Sequence, residues 1–279
     1  MKLSLKEIKN KCIEDRFFEY DSWQDRLFVP PAIYVSWVCL RVGISGNAVS
    51  WISGFVAVFG GYLLTFKESS IVLIGSLGYI LWYFLDYVDG AVARLNEKGS
   101  VAGQYIDWMM HVISHVAIVS GIALGALNSV GNWILPFVIL GIIAACLPYA
   151  RFSMAWFSIC MEQQQRRVKG LAVETNHDFT APPPKYGDCY KYIRGLSIVI
   201  FHENYLIFTL PIVALLELLN IFVLFDLRVI FTVLAGTLYF FVQVLEIHLL
   251  VVNNKIQKAY AELFLPNHKP NLPDDHFFN

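Results

Sequence analysis

Apolar residues occur in long runs along the chain, each about the length of a membrane-crossing helix. Such a helix needs about 20 residues to cross roughly 30 Å of hydrocarbon. The runs are Ala48–Phe66, Ile71–Val88, Val101–Leu127, Trp133–Phe157, Tyr205–Phe225 and Val229–Val252. The pattern predicts an all-α integral membrane protein with six transmembrane helices.

The regions around these runs are more polar. Ala32–Cys39 is apolar but too short to span, so residues 1–46 are predicted to form amphipathic helices at the membrane interface. The transmembrane domain then covers 47–253, and 254–279 form a polar tail. The stretch of about 167–204 contains a proline run that breaks any helix, and it is interpreted as a cytoplasmic loop or a disordered connector.

Composition supports a membrane protein and locates its faces. The chain is 57% hydrophobic and 15% charged, whereas soluble domains carry about 25% charged residues. Its net charge of -1 gives no indication of a nucleic-acid partner. Lysine and arginine cluster on the side of the N-terminus and leave only Lys67 and Arg228 opposite, which predicts that both termini are cytoplasmic.

Two polar stripes interrupt the apolar pattern. Asp86, Asp89, Gly90 and Ala93 lie on one face of the second predicted helix, because residues three, four and seven apart share a side. The second stripe lies on the third predicted helix and has one residue at every fourth position. Its members are Gly103, Asp107, His111 and His115. The two helices run antiparallel through a short connection, so both stripes are expected to meet near the cytoplasmic border.

Three carboxylates close together in a membrane repel one another and are costly to bury, so they need positive charge nearby. Divalent cations would remove their repulsion, and oxygen ligands favour Mg²⁺ or Mn²⁺. We therefore expect Asp86, Asp89 and Asp107 to hold a divalent metal ion. The residue types alone also fit polar packing between helices, or a cation or solute transporter with an ion site.

The full spacing is more specific than the residue types. It resembles the signature of the CDP-alcohol phosphotransferase family, D-x2-D-G-x2-A-R, eight residues, then G-x3-D-x3-D. Seven of the eight fixed positions match: Asp86, Asp89, Gly90, Ala93, Arg94, Gly103 and Asp107. The segment Gly46-Asn47-Ala48-Val49-Ser50 is similar to the Pro-Asn-x-x-Thr segment that opens the family's first span. The resemblance covers roughly residues 40–255.

His111 occupies the position of the last family aspartate. In the family this aspartate is often assigned as a second-metal ligand and catalytic base, and a histidine can serve either purpose. The resemblance therefore implies that His111 joins the three aspartates in holding one or two ions.

The resemblance implies a metal-dependent transfer of a phospho-alcohol group from a CDP-alcohol to a hydroxyl acceptor, with release of CMP, in a homodimer. His111 would be the base, and the CDP-donor site would include Asn47, Gly90, Ala93, Arg94 and Gly103. Candidates for the acceptor site are the basic, cytoplasmic residues Arg151, Lys191 and Arg194.

The identity of the donor stays open at this stage. Either CDP-diacylglycerol donates to a small alcohol, or a small CDP-alcohol donates to a lipid or glycan-lipid, which the long N-terminal region favours slightly. A transporter or a non-catalytic relative using the same aspartates is the alternative.

Overall fold

A computed structural model describes residues 7–8, 23–96, 101–168, 188–221 and 226–252. The described chain is helical throughout, as predicted. Its helices are α1 (Trp23–Val42), α2 (Gly46–Leu63), α3 (Ser69–Leu95), α4 (Val101–Val130), α5 (Leu135–Val168), α6 (Asp188–Phe201), α7 (Glu203–Leu218), α8 (Leu227–Leu234) and α9 (Phe240–Val252). A short 3-10 turn, Asn132–Ile134, precedes α5, and a π-helical segment, Ala235–Tyr239, joins α8 to α9. The expected tail, 254–279, lies outside the described residues.

Four helical stretches of the described chain are long and apolar enough to cross a membrane. They are Ser69–Leu95, Gly103–Val130, Asn132–Ala150 and Leu227–Val252. Two bent pairs raise the number to six if each pair is one span: α1 with α2, at 120°, and Tyr190–Phe201 with α7, at 58°. The length and apolarity of these helices therefore indicate an integral membrane protein.

Helix α1 is longer than the short apolar segment in the sequence suggests. It begins at Trp23 and continues through Pro30 and Pro31 to Val42. The left-handed backbone of Gly43, with φ 82°, then ends it. The Ser45 hydroxyl accepts from the backbone N–H of Ala48 and begins α2.

Glycines bring α2 close to both of its neighbours. A Cβ on Gly60 would lie 2.9 Å from the carbonyl oxygen of Gly75 in α3. On the other side, a Cβ on Gly121 of α4 would collide with the carbonyl oxygen of Gly61. Gly121 and Gly125 form a GxxxG pattern, a spacing that supports helix contact or dimerisation. Here the pattern packs α4 on the end of α2 within one chain.

The prediction of a loop over about 167–204 is wrong at its C-terminal end. Residues Asp188–Phe201 form α6, and the second half of this helix is the largely apolar stretch Leu196–Phe201. The fifth span was expected to reach Phe225, but α7 ends at Leu218 and Asn220 has a left-handed φ of 54°. The bend between α6 and α7 lies at His202, directly before Glu203.

A buried arginine ties the beginning of α8 to the end of α2. Arg228 donates to the carbonyl oxygens of Leu64 and Phe66, at 3.0 and 2.5 Å, and pairs with Asp226 at 2.9 Å. The carbonyls at the end of a helix have no partner within the helix, so Arg228 satisfies groups that lipid cannot. Arg228 therefore has a structural role.

Candidate active site

Two carboxylates and an imidazole converge where α3 faces α4. The Nε2 atom of His111 lies 3.0 Å from Oδ1 of Asp86 and 3.7 Å from Oδ1 of Asp107. One ligating atom from each of the three residues lies within 4.8 Å of the others. The side chains are 23–40% exposed, so a ligand can reach them. The two stripes predicted from the sequence therefore do meet.

The opposite edge of the His111 ring contacts a residue from a distant part of the chain. Its Nδ1 atom lies 3.4 Å from Oε2 of Glu203, the first residue of α7. The hydroxyl of Tyr149 in α5 donates to the same oxygen at 3.2 Å. The Trp82 ring lies nearly perpendicular to the imidazole, with ring centroids 5.3 Å apart. The His111 ring is thus held between α3 and α7.

Asp89 occupies a different environment from Asp86, one turn away on α3. It is buried, and its Oδ2 accepts a 2.6 Å hydrogen bond from the hydroxyl of Ser50 in α2. Asp89 is not part of the three-residue group whose ligating atoms lie within 4.8 Å of one another. The described geometry therefore separates it from Asp86, Asp107 and His111, with which the sequence grouped it as a ligand.

The small residues of the motif allow close approach of the backbones. A Cβ on Gly46 would lie 2.9 Å from the carbonyl oxygen of Asp89 and 3.1 Å from the Cβ of Ala93. The Arg94 side chain lies over Gly90, where an added Cβ would be 2.9 Å from Nη2. Since Gly46 and Ala93 let α2 cross α3 at the motif, they serve the packing that brings Ser50 to Asp89.

The remaining candidates for the donor site lie around these helices. Asn47 is exposed in the first turn of α2, and Gly103 is half-buried near the start of α4. His115 is buried one turn beyond His111, against Tyr149, and its Nδ1 has no hydrogen-bond partner among the described residues. Its burial indicates a histidine that packs against its neighbours, unlike His111, which is partly exposed.

Two of the acceptor candidates, Lys191 and Arg194, lie on α6. Arg194 donates through Nε to Oε1 of Glu246 in α9 at 2.6 Å, and the hydroxyl of Tyr190 donates to the same oxygen at 2.9 Å. Lys191 is exposed on α6. The side chain of Arg151 lies outside the described part of the structure. Arg194 therefore already has an acidic partner.

The donor chemistry of the three-residue group fits a divalent cation. Two carboxylates and one imidazole provide oxygen and nitrogen ligands from adjacent helices, and their ligating atoms are close enough to share one ion. The imidazole of His111 contacts both carboxylates, but it offsets their charge only when it is protonated. A bound cation would therefore compensate two carboxylates that lie at the edge of a hydrophobic bundle.

Two residues of the site were not predicted from the sequence. Glu203 follows the polar segment and has no spacing relationship to the motif, 92 residues away from His111. Tyr149 belongs to Pro148-Tyr149-Ala150-Arg151, which resembles a Tyr-x-Arg segment near the end of the fourth span in some family members. That likeness was a signal for Tyr149, whereas Glu203 could be found only from the fold.

Comparisons with known proteins agree with this geometry. No curated protein matches the chain, but residues 44–173 match the family model described as CDP-alcohol phosphatidyltransferase. The matched residues include Ser50, Asp86, Asp89, Asp107, His111 and Tyr149. Family members are transferases of phosphate-containing groups and typically use a divalent metal. Residues 44–173 are therefore similar to the CDP-alcohol phosphatidyltransferase family, whose members transfer phospho-alcohol groups in lipid biosynthesis.

Proposed function

We propose that this protein transfers a phospho-alcohol group from a CDP-alcohol donor to a hydroxyl acceptor and releases CMP. The observation that carries the proposal is the convergence of Asp86, Asp107 and His111 within the matched segment. Reactions of this kind need partners held in position and negative charge compensated, and little other chemistry from the protein. A polar cleft with metal-ligating groups supports that requirement.

The carboxylates of Asp86 and Asp107 would hold Mg²⁺ or Mn²⁺, with Asp89 as a further ligand or as support for the cleft. A bound divalent metal would stabilise the charge that develops on the leaving phosphate oxygen. The guanidinium of Arg94 can contact phosphate oxygens through two N–H groups. Gly90, Ala93, Gly103 and Asn47 would complete the donor site, where small side chains let the diphosphate approach the helices.

His111 would accept the proton of the attacking hydroxyl. The acceptor oxygen forms a bond to the β-phosphorus, the bond from that phosphorus to the CMP oxygen breaks, and the hydroxyl proton goes to Nε2. This nitrogen is the one that faces Asp86 and Asp107, at 3.0 and 3.7 Å. Histidine is suited to proton transfer near neutral pH. The same nitrogen could instead ligate the metal.

The acceptor would bind near the basic residues Arg151, Lys191 and Arg194. The Arg194–Glu246 pair, with 2.6 Å between Nε and Oε1, supports a site in which a phosphate or acidic head group competes with Glu246 for the guanidinium. The acceptor is either a small alcohol or a lipid, according to which substrate carries the lipid tail.

The remaining parts of the proposal concern arrangement in the cell. We place the termini and the active site on the cytoplasmic side, because lysine and arginine are concentrated there. Residues 47–253 would form the catalytic domain, with 1–46 at the membrane interface. The homodimer stays an expectation from the family, tested by measuring the mass of the purified protein in detergent.

Purified protein in proteoliposomes distinguishes transferase from transporter. The assay supplies CDP-diacylglycerol with small alcohols in one series, and small CDP-alcohols with lipid acceptors in another, each with Mg²⁺ or Mn²⁺. A transferase releases CMP in at least one series. Uptake of cation or solute with no CMP from any donor would reject the proposal and favour transport.

A further inference from the structure

We infer that Glu203 is a positioning residue that orients the His111 ring and keeps its reactive nitrogen directed at the cluster of Asp86 and Asp107. The inference rests on the proposed function for its catalytic consequence. It concerns a residue outside the matched segment 44–173 and about 90 residues from the motif. Glu203 would therefore complete the site from a helix that the signature does not include.

The geometry separates the two nitrogens of the ring. Nδ1 lies 3.4 Å from Oε2 of Glu203, whereas Nε2 lies 3.0 Å from Oδ1 of Asp86. An ionised carboxylate only accepts hydrogen bonds, so a contact with Glu203 requires a proton on Nδ1. Asp86 makes the same demand on Nε2, so both nitrogens carry a proton when no cation is present. A cation held by Asp86 and Asp107 would remove that demand, and the Glu203 contact would then select the tautomer whose lone pair is on Nε2. Nε2 is then the nitrogen that can take a proton or bind a metal.

Glu203 is itself held in place. The Tyr149 hydroxyl donates to the same Oε2 at 3.2 Å, from α5. Glu203 is the first residue of α7, directly after the bend at His202. A negative charge is favourable at the N-terminus of a helix. The Glu203 side chain is only 21% exposed, so water has limited access to compete for its contact with His111. Three helices, α4, α5 and α7, therefore meet at one carboxylate oxygen.

The replacement of an aspartate by His111 explains why such a residue would be needed. The two oxygens of a carboxylate are equivalent, so either can accept a proton or bind a metal. An imidazole has one useful nitrogen for a given orientation and tautomer, and a partner on the other nitrogen must select it. Glu203 supplies that partner in this chain.

A double-mutant cycle separates positioning through His111 from an independent role. Glu203→Ala should lower kcat for CMP release by about 10–100-fold, part of the usual contribution of a general base, with the KM for the CDP-donor nearly unchanged. In the His111→Ala background the same change should have almost no further effect, because residues that act as one unit are not additive. Equal losses in both backgrounds would overturn the inference.

Two further variants control for misfolding. Glu203→Gln keeps the side-chain length and an oxygen that can accept from Nδ1, so it should retain more activity than Glu203→Ala. Tyr149→Phe removes one support of Glu203 and leaves the contact with His111, so its loss should be smaller. If Glu203→Gln loses as much as Glu203→Ala while its thermal unfolding matches that of the wild type, orientation by hydrogen bonding is rejected.

A spectroscopic readout does not depend on turnover. With ¹⁵N-labelled histidine and saturating Mg²⁺, at a pH where the ring is neutral, Nδ1 of His111 should show the chemical shift of a protonated nitrogen. In Glu203→Ala the signal should move towards a mixture of tautomers. An unchanged signal would overturn the positioning role even if CMP is released. A changed signal without CMP from any donor would reject the proposed function alone.

Discussion

The hydroxyl of Ser50 donates a 2.6 Å hydrogen bond to Oδ2 of Asp89 and joins α2 to α3 at the motif. Both residues are buried, at 4% and 6% exposure, and the contact lies where Gly46 lets the two helices cross. The serine occupies the last position of the segment that resembles Pro-Asn-x-x-Thr, so that short segment and the aspartate signature belong to one site. Asp89 is therefore anchored from α2, while Asp86 faces α4.

This anchor can be tested by removing either partner. Ser50→Ala leaves a buried carboxylate without its hydroxyl donor. We expect CMP release to fall by about 10–100-fold, since a hydrogen bond to a charged group is worth roughly 1.5–3 kcal/mol. Asp89→Asn should lower turnover much further with little loss of fold. Ser53→Ala is the matched control, because the Ser53 hydroxyl donates to the backbone oxygen of Ser50. Normal activity of Asp89→Asn would contradict this account of the residue.

His111 offers the sharpest test of catalysis. If it is the base, His111→Ala should reduce the chemical step by about 10²–10⁴-fold, while binding of the CDP-donor largely persists through the carboxylates. If it is a metal ligand, the same change should weaken metal affinity, and added Mn²⁺ should partly restore the rate. Measuring CMP release across metal concentrations separates the two. Wild-type rates at every concentration would leave His111 as a packing residue.

The glycine contact between α2 and α4 predicts a difference between two similar substitutions. Gly121→Ala should destabilise the fold by about 1–3 kcal/mol, because its Cβ would meet the backbone of Gly61. Gly195→Ala on the exposed face of α6 meets nothing within 4 Å, and alanine should there stabilise the helix by about 0.5–1 kcal/mol. Thermal unfolding of both variants in detergent measures the difference. Equal unfolding temperatures would mean that α2 and α4 are not packed this closely.

The Arg228–Asp226 pair predicts how stability depends on pH. Burial raises the pKa of Asp226, but the hydrogen bonds and charge of Arg228 outweigh burial and hold that pKa below its usual range. A carboxylate with a lowered folded pKa contributes stability above its unfolded pKa, about 4, and this contribution is lost as the pH falls through the folded value. Asp226 should therefore stabilise the protein at neutral pH and not in strong acid.

Arg228→Ala provides the comparison for that pH effect. Removing one partner of a buried pair costs about 3–5 kcal/mol, and here it also leaves the carbonyl oxygens of Leu64 and Phe66 without their donor. The variant should unfold at lower temperature at pH 7, with a smaller further loss on acidification than the wild type. An identical loss of stability on acidification in both proteins would show that the Arg228–Asp226 pair is not its cause.

The helical secondary structure and the convergence of Asp86, Asp107 and His111 were predictable because they depend on local periodicity. Long apolar runs allow only helices in a bilayer, and residues four apart, such as Asp107 and His111, share a helix face whatever the rest of the fold. The antiparallel connection of the two runs then places Asp86 opposite that face. The structure shows these three residues together.

The contacts that depend on tertiary packing were not predictable. Glu203 reaches His111 only because the chain bends at His202. Arg194 was interpreted as a possible acceptor ligand, and its pairing with Glu246 joins α6 to α9, which no sequence spacing indicates. Similarly, the Gly121–Gly125 pattern shows that a helix is closely packed but not whether its partner is in the same chain or in a second copy.

Release of CMP as a function of metal concentration tests the central claim most directly. The wild-type protein, supplied with the donor and acceptor that it uses, should release CMP only with a divalent metal. The variants Asp86→Asn and Asp107→Asn should need far more metal or lose activity. Glu217→Gln should behave like the wild type, because the Glu217 carboxylate accepts a hydrogen bond from the backbone N–H of Leu227 instead. CMP release that is independent of metal, or unchanged by both aspartate substitutions, would contradict the assignment of this cluster as the active site.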